Sequence, residues 1–348
     1  MTRFISPSLS GLSPYVPGEQ PRDKSYVKLN TNENPFPPPP AVIEAARREA
    51  GRLNLYSDPD CLYLRESLAR YEGLKPENVL VTNGSDEALS FIFFAFKGGF
   101  IFPNHTYGFY RVFAELYGVP YEEAPLKPDF TVDVDAFITS GKNAVIANPN
   151  APTGLFLPLS EIERILDSNG ERLVIVDEAY VDFGGESAAS LLKKYENLIV
   201  TRTFSKSRSL AGMRLGYILA SKELIADLNA VRCSINPYNV DRVALAAGAA
   251  SLECEEYFRE KLEAVKENRA YASRKLETMG FTVIPSSANF IFAKRDGVSG
   301  EELYLSLKKR GVLVRHFKKS GIEDYVRITV GTREEMDILI SKLEEILV

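Results

Sequence analysis

The sequence contains few of the residues that build metal sites and disulfide frameworks. Its two histidines, at positions 105 and 316, cannot form the H-E-x-x-H motif of a zinc enzyme, so we expect no metal site. Its three cysteines, Cys61, Cys233 and Cys254, are odd in number and widely spaced. This spacing is typical of reduced thiols and not of disulfides, and we therefore expect a cytoplasmic protein.

Charge and hydrophobicity exclude two further classes of protein. The formal net charge of −5 at pH 7 provides no basic surface for nucleic acid. No uninterrupted apolar run approaches the ~18 residues of a membrane-spanning helix, and the N-terminus lacks the apolar segment of a secretion signal. Apolar residues are 45% and charged residues 26% of the 348 positions, which suits a globular protein of about two domains. Small molecules remain as the expected partners.

The chain divides into three segments that differ in composition and in predicted secondary structure. The first 40 residues, rich in proline, serine and asparagine, predict an extended arm. In residues 41–221, short apolar strands alternate with helices, which predicts an α/β domain with a mostly parallel sheet between helices. Residues 222–348 predict a smaller α+β domain, including a single long helix over residues 241–279.

Unusual polar residues follow the carboxyl ends of four predicted strands. They lie at residues 83–87, 148–154, 177–180 and 205–206. Open α/β sheets bind their ligands at this edge, and four coincidences are hard to dismiss. We therefore expect the functional site at the carboxyl ends of the parallel strands.

The segment TRTFSKSRSLAGMRLG, residues 201–216, contains the main candidate chemistry. Lys206 follows a strand among hydroxyl side chains, including Thr203 and Ser205, and Arg214 lies eight residues further on. A partly desolvated lysine can form a Schiff base with an aldehyde. Hydroxyl groups beside an arginine can bind a phosphate. The segment therefore suits pyridoxal phosphate, although a lysine among serines is, taken alone, more often a solvated loop.

Two acidic or aromatic positions extend this hypothesis. Asp177 would pair with the pyridine nitrogen of the cofactor and keep its ring electron-withdrawing. Its alternative role, as the metal-holding acid of a nucleotide hydrolase, fails because the chain has no G-x-x-x-x-G-K-[ST] motif. Tyr180 would bind the phenolic oxygen of the ring.

The turn at residues 83–87 supplies a second candidate phosphate site. Gly84, Ser85 and Asp86 open a helix whose free N–H groups favour an anion, and Asp86 would cap that helix. The apolar part of this helix is predicted to begin at Ala88. Tyr107 would lie flat on the cofactor ring, although an aromatic residue at the start of an amphipathic helix is usually part of the core.

In this order, the motifs resemble those of the fold-type I pyridoxal-phosphate aminotransferases over nearly the whole chain, most closely the histidinol-phosphate aminotransferases. The motifs that carry the resemblance are Asn-Glu-Asn-Pro at 32–35, Asn-Gly-Ser-Asp-Glu at 83–87, Pro-Asn-Ala-Pro-Thr-Gly at 149–154, Asp-Glu-Ala-Tyr at 177–180, Thr-Phe-Ser-Lys at 203–206, Leu-Ala-Gly-Met-Arg at 210–214 and Arg-Ile-Thr-Val-Gly-Thr at 327–332. The resemblance implies a homodimer and transamination between histidinol phosphate and glutamate, in histidine biosynthesis.

The resemblance also implies roles for single residues. Lys206 would bind the cofactor and transfer protons, while Arg214 and Ser205 would bind its phosphate. Arg327 would bind a substrate carboxylate, for which a bidentate guanidinium is well suited. Tyr56 would reach the cofactor phosphate of the neighbouring subunit, although by sequence alone it is an aromatic residue at a helix end.

Three further positions are implied to bind the substrate. Tyr15 lies in an arm segment that would close over histidinol phosphate, Arg315 would bind the substrate phosphate, and Asn32 would line the same pocket. By sequence alone, Tyr15 and Arg315 are equally compatible with surface positions. At Ala151 the family often has an asparagine that binds the ring oxygen, and here Asn150 or Tyr180 would supply that contact.

Three alternatives share parts of this pattern. An aromatic amino-acid aminotransferase would not need Arg315. An amino-acid phosphate decarboxylase usually has a glycine-rich His-Gly-Gly arm, whereas this arm reads Pro-Tyr-Val-Pro-Gly at residues 14–18. A non-catalytic binding module would not need Lys206 and Asp177.

Overall fold

The computed structural model describes residues 2–9 and 11–347; positions 1, 10 and 348, which fall in the predicted arm and small domain, lie outside it. The strands, in chain order, are β1 (Val27–Lys28), β2 (Val79–Thr82), β3 (Phe100–Pro103), β4 (Tyr121–Ala124), β5 (Asn143–Ala147), β6 (Val174–Asp177), β7 (Leu198–Thr203), β8 (Gly216–Ala220), β9 (Phe281–Ile284), β10 (Phe290–Arg295), β11 (Val312–Leu313), β12 (Arg315–His316) and β13 (Val326–Thr329). The helices are α1 (Pro40–Ala50), α2 (Leu62–Glu72), α3 (Gly84–Ala95), α4 (Phe109–Tyr117), α5 (Val134–Thr139), α6 (Leu159–Ser168), α7 (Lys222–Ile235), α8 (Arg242–Leu252), α9 (Glu255–Thr278), α10 (Gly300–Lys309) and α11 (Arg333–Leu347).

A seven-stranded sheet with the order β2-β8-β7-β6-β5-β3-β4 forms the centre of the large domain. Its strands pair in parallel except β8, which runs antiparallel to both β2 and β7. Every residue of β2, β3, β5, β6 and β8 is buried, because helices cover both faces of the sheet. The predicted, mostly parallel sheet between helices is confirmed.

Several elements differ from their predicted bounds. Helix α3 begins at Gly84, where the turn motif predicts it to open, and so includes the four residues before its apolar part at Ala88; the Glu87 carboxylate accepts the backbone N–H of Asn83 at 2.6 Å. The helix predicted over residues 241–279 is two helices, α8 and α9. At this break, Arg208 donates to the Ser251 carbonyl at 3.3 Å and to the Glu255 carboxylate at 2.7 Å. Strand β4 and helix α5 were not predicted.

The smaller domain is built on the antiparallel sheet β12-β13-β10-β9. Its core includes Val265 of α9, Leu303 of α10 and Leu339 of α11. In contrast, α7 and α8 contribute Leu228 and Ala244 to the cores around the large sheet. This packing favours a boundary after α8 over the predicted one after residue 221.

The arm joins the two domains. Strand β1 pairs in parallel with β11 of the small domain, and Leu29 is buried in that domain's core. Residues 29–34, which we call the connector, then reach the large sheet, where the Asn34 side chain donates to the carbonyl of Lys206 at 3.1 Å. No helix in the described part of the chain is long and apolar enough to cross a membrane.

Candidate active site

Lys206 lies three residues after the end of β7 and contacts the connector. Its Nζ donates to the Thr31 carbonyl at 3.3 Å and lies 5.7 Å from the centre of the Tyr180 ring. Burial, assisted by the positive charge of Arg327, lowers the pKa of Lys206 to about 8. The amine therefore has a substantial neutral fraction near neutral pH, which is the form that attacks an aldehyde.

Asp177 ends β6 and is only 4% exposed. Its carboxylate accepts hydrogen bonds from the hydroxyls of Tyr110, at 2.7 Å, and Thr201, at 3.1 Å. Burial raises the pKa of Asp177 to about 6 although both hydroxyls favour the charged form. A buried carboxylate without a guanidinium or ammonium partner is suited to pair with a protonated ring nitrogen.

The start of α3 and the end of the lysine loop form a tight cradle. Gly84 has φ +76°, and a Cβ there would lie 2.8 Å from the Arg214 guanidinium. A Cβ at Gly216 would lie 2.6 Å from the backbone of both Gly84 and Ser85. These glycines let the backbone N–H groups of α3 and the Arg214 fork face the same small space, which suits a phosphate.

Asp86 does not cap its helix, so that part of the prediction is wrong. One carboxylate oxygen accepts from the Arg214 guanidinium at 3.0 Å, and the other accepts from the Tyr107 hydroxyl at 2.7 Å. Asp86 therefore connects the phosphate cradle to Tyr107. The Tyr107 ring packs edge-on against Tyr110, with centroids 5.7 Å apart, so Tyr107 is at once part of the core and of the site.

A buried ionic cluster lies behind the lysine loop. Arg202 donates to Glu178 at 3.2 Å and to Asp182 at 2.6 Å, and Asp182 also accepts from the Ser207 hydroxyl. Thr203 closes the turn, since its hydroxyl accepts the N–H of Ser205 at 3.1 Å. Ser205 itself is buried. The cluster holds the residues on either side of Lys206.

Arg327 and Arg315 form another wall of the candidate site. They face each other across the antiparallel strands β13 and β12. Arg327 donates to the Asn30 carbonyl at 3.3 Å, while its Nε is buried without a partner among the described residues. Like charges directly opposite in a sheet are destabilising. An anion between the two guanidinium groups would relieve both the repulsion and the unpaired donor.

The arm covers this wall. Arg315 donates to the main-chain carbonyls of Val16, at 3.0 Å, and Pro17, at 3.1 Å. Next to them, the Tyr15 ring stacks on Phe109 with centroids 4.3 Å apart. Tyr15 and Arg315 therefore lie at the site and not on a remote surface.

Three of the predicted residues contact other protein groups in this structure. Asn150 is buried, and its amide binds the His105 carbonyl at 2.9 Å and the Thr106 hydroxyl at 2.8 Å, so it shapes a loop. Asn32 is 1% exposed, and its Nδ2 donates to the Tyr180 hydroxyl at 2.9 Å. Tyr56 is 80% exposed and stacks on the Tyr238 ring at 4.5 Å.

Sequence reasoning missed three partners of the site residues. Tyr110 was assigned only to a helix, although from α4 it donates to the Asp177 carboxylate. Arg202 and Asp182 were not singled out, because a charged residue inside a strand or just after one is usually solvated. The one sequence signal was the position of Arg202 two residues after the apolar run 198–200, between Thr201 and Thr203.

The residues present fit pyridoxal phosphate. They offer a partly buried amine with a lowered pKa for its aldehyde, a buried carboxylate for its ring nitrogen, and a glycine-lined helix start with an arginine for its phosphate. A Cβ at Gly84 would collide with the Arg214 guanidinium, and one at Gly216 would collide with the backbone at the start of α3, so the cradle requires glycine at both positions. The fit rests on three different chemical groups of the cofactor.

Comparison with known proteins agrees with this chemistry. The family profile "Aminotransferase class I and II" matches residues 24–343. A protein named histidinol-phosphate aminotransferase from Syntrophus aciditrophicus is 48% identical over 354 residues, covering 99% of this chain and 98% of the relative. One of the same name from Clostridium acetobutylicum is 46% identical over 349 residues, covering 99% of each.

A solved structure shows the same fold. The histidinol-phosphate aminotransferase from Sinorhizobium meliloti, in complex with pyridoxal-5'-phosphate, has a TM-score of 0.90 at 24% identity, covering 100% of this chain and 98% of that one. The family profile and the full-length relatives agree over nearly every residue. The chain belongs to the class I and II aminotransferase family, and it is an aminotransferase that depends on pyridoxal 5'-phosphate.

Proposed function

We propose that the protein transfers an amino group between histidinol phosphate and 2-oxoglutarate, with glutamate as the other amine, in histidine biosynthesis. The observation that carries the proposal is the pair Arg315 and Arg327, two guanidinium groups opposite each other at one wall of the site. One substrate has a phosphate and no carboxylate, whereas the other has carboxylates and no phosphate. The names of the full-length relatives support the same reaction.

Each site residue has a role in this reaction. When bound, pyridoxal phosphate supplies an aldehyde that receives the amino group and a ring that withdraws electrons. Asp177 would hold a proton on the ring nitrogen. Lys206 would take the proton from the amine-bearing carbon of the substrate, a task that its lowered pKa suits. Arg214, with the N–H groups of Gly84 and Ser85, would hold the cofactor phosphate.

The two arginines divide the substrates between them. The Nε of Arg327 is buried and has no partner among the described residues, and this side chain would bind a carboxylate of glutamate or 2-oxoglutarate. Arg315 lies beside Tyr15 under the arm, and it would bind the phosphate of histidinol phosphate. The arm carbonyls that Arg315 binds then belong to the closed form of the pocket, in which the substrate is shielded from water.

Steady-state kinetics of two variants test this division. Arg315→Ala should raise KM for histidinol phosphate by about ten- to a hundredfold, the cost of one charge-assisted contact, with a smaller change for unphosphorylated aromatic amines. Arg327→Ala should mainly weaken glutamate and 2-oxoglutarate. Equal losses on phosphorylated and unphosphorylated amines in Arg315→Ala would favour an aromatic amino-acid aminotransferase. Release of carbon dioxide from an amino-acid phosphate would favour the decarboxylase.

The active form is proposed to be a homodimer. Several large apolar side chains between residues 53 and 63 are exposed: Leu53 (66%), Leu55 (52%), Tyr56 (80%), Leu62 (51%) and Tyr63 (61%). Exposed apolar side chains in such numbers favour a protein interface here. The position of Tyr56 in this group supports a role for it in the neighbouring subunit's phosphate site.

Hybrid dimers test the contribution of Tyr56. Lys206→Ala and Tyr56→Ala would be expressed separately, mixed under conditions that allow subunit exchange, and assayed. If Tyr56 acts across the interface, one site of each hybrid has both native residues, so activity exceeds that of either parent. Activity equal to the average of the parents would place Tyr56 in its own subunit's site.

The three unpaired cysteines support a location in the reducing cytoplasm.

A further inference from the structure

Asn32 is held more tightly than a substrate contact requires. Its φ of +55° lies in the left-handed region, which few residues other than glycine adopt. Its N–H donates to the Thr329 hydroxyl at 2.9 Å, and that hydroxyl donates back to Oδ1 at 3.1 Å. Its carbonyl accepts from Asn289 at 3.0 Å. Both its backbone and the orientation of its amide are therefore fixed.

The fixed amide determines the direction of the Tyr180 proton. Since Thr329 donates to Oδ1, the amide must present Nδ2 to Tyr180, and Nδ2 donates to the phenolic oxygen at 2.9 Å. An oxygen that accepts this bond directs its own proton elsewhere. Among the described residues no acceptor for that proton is recorded, and the Tyr180 ring faces Lys206 at 5.7 Å.

The neighbouring connector residues are tied to the same site. The Thr31 carbonyl accepts from Lys206 Nζ at 3.3 Å, and the Asn30 carbonyl accepts from Arg327 at 3.3 Å. Arg327 and Thr329 both belong to β13. The consecutive connector residues Asn30, Thr31 and Asn32 thus contact Arg327, Lys206 and Tyr180, in that order.

We propose that Asn32 is a positioning residue that holds the Tyr180 hydroxyl with its proton toward the phenolic oxygen of the cofactor, and that Thr329 fixes Asn32 for this task. Asn32 does not bind substrate. The inference rests on one part of the proposed function, the binding of the cofactor in this pocket. It does not depend on which amine is the substrate.

The test measures the pH midpoint at which the visible absorbance of the bound cofactor changes. A donor to the ring oxygen stabilises the form that has lost its proton, so removing the donor should raise the midpoint by roughly 0.5–1 pH unit. Tyr180→Phe is the reference variant. Asn32→Gly removes the amide and keeps the left-handed backbone accessible. The double variant should show no shift beyond that of Tyr180→Phe alone.

A second pair of variants provides an independent measurement should Asn32→Gly fold poorly. Thr329→Val removes the hydroxyl at nearly constant volume and should raise the midpoint, whereas Thr329→Ser keeps the hydroxyl and should restore the native value. A shift from Asn32→Gly that persists in full in the Tyr180→Phe background would overturn the proposal. So would a native midpoint combined with a raised KM for the amine, since that is the signature of a substrate contact.

The outcomes also separate this inference from the proposed function. The titration requires bound cofactor and no substrate, so the expected shifts together with inactivity on histidinol phosphate would refute only the substrate assignment. Normal transamination of histidinol phosphate with an unshifted midpoint in every Asn32 and Thr329 variant would refute only the positioning role. A protein without a cofactor absorbance band would refute both.

Discussion

Asp177→Asn should make the cofactor-free protein more stable while it damages the loaded enzyme. Burial raises the pKa of this carboxyl from 3.8 to about 6. The charged carboxylate is therefore less stable in the folded state than in the unfolded state. A difference of about 2 pH units corresponds to about 3 kcal/mol. Poorer hydrogen bonds to Tyr110 and Thr201 offset part of it, about 1 kcal/mol. The expected net gain in the free energy of unfolding is about 1–3 kcal/mol at pH 8.

The direction of the pKa shift determines how the stability gain of Asp177→Asn changes with pH. Because the pKa is higher in the folded state than in the unfolded state, the cost of the charged carboxylate is present in full above about pH 6. This cost disappears as the pH falls toward the pKa of Asp177 in the unfolded state. The advantage of Asp177→Asn should therefore shrink to nothing by about pH 4, as measured by urea unfolding at a fixed protein concentration.

Asp182 provides a matched control on the same loop. Burial alone would raise the pKa of Asp182, but Arg202, the Ser207 hydroxyl and Arg208 outweigh it, and the net pKa lies below its ordinary value. Asp182→Asn should therefore destabilise at pH 8, and its effect should fade in acid. If Asp177→Asn destabilises the cofactor-free protein equally at pH 8 and pH 5, the reasoning from burial is refuted. In the loaded enzyme, Asp177→Asn should reduce the rate by about 10³-fold or more.

Three further predictions concern cofactor binding. The rate at which pyridoxal phosphate combines with cofactor-free protein should rise up to about tenfold per pH unit and level off above the pKa of Lys206 near 8; a flat stopped-flow profile between about pH 6.5 and 8.5 would contradict this. Gly216→Ala should weaken cofactor affinity at least about tenfold, because its Cβ would meet backbone at 2.6 Å, whereas Gly212→Ala, with open space around it, should bind normally in the same fluorescence titration. Arg214→Lys should cost about ten- to a hundredfold in cofactor affinity by equilibrium dialysis, since lysine keeps the charge but loses the fork; native affinity would argue against a bidentate contact.

The residues that sequence reasoning placed well are those whose position follows from the sheet alone. Lys206, Asp177 and Gly84 each follow the carboxyl end of a strand, and strand order does not change the edge at which they lie. The two long-range arginines were placed through family resemblance. Their mutual opposition depends on the β12–β13 register, which no local pattern reveals.

Roles that depend on contacts between distant segments were not predictable. Asp86 was expected to cap its own helix, a local interaction, but Arg214, 128 residues away, competes successfully for its carboxylate. The break between α8 and α9 has no proline or glycine to mark it. It depends instead on Arg208, which from another part of the chain binds the Ser251 carbonyl at the end of α8 and Glu255 in the first turn of α9.

The contact between Arg315 and the arm has a consequence for how this enzyme can change. Arg315 holds the arm through the main-chain oxygens of Val16 and Pro17, not through their side chains. Val16 is 72% exposed, so its side chain has little part in closing the pocket. The residue at position 16 can therefore drift in evolution, or be replaced to carry a spectroscopic label, while closure is retained. Tyr15, which packs against Phe109, has no such freedom.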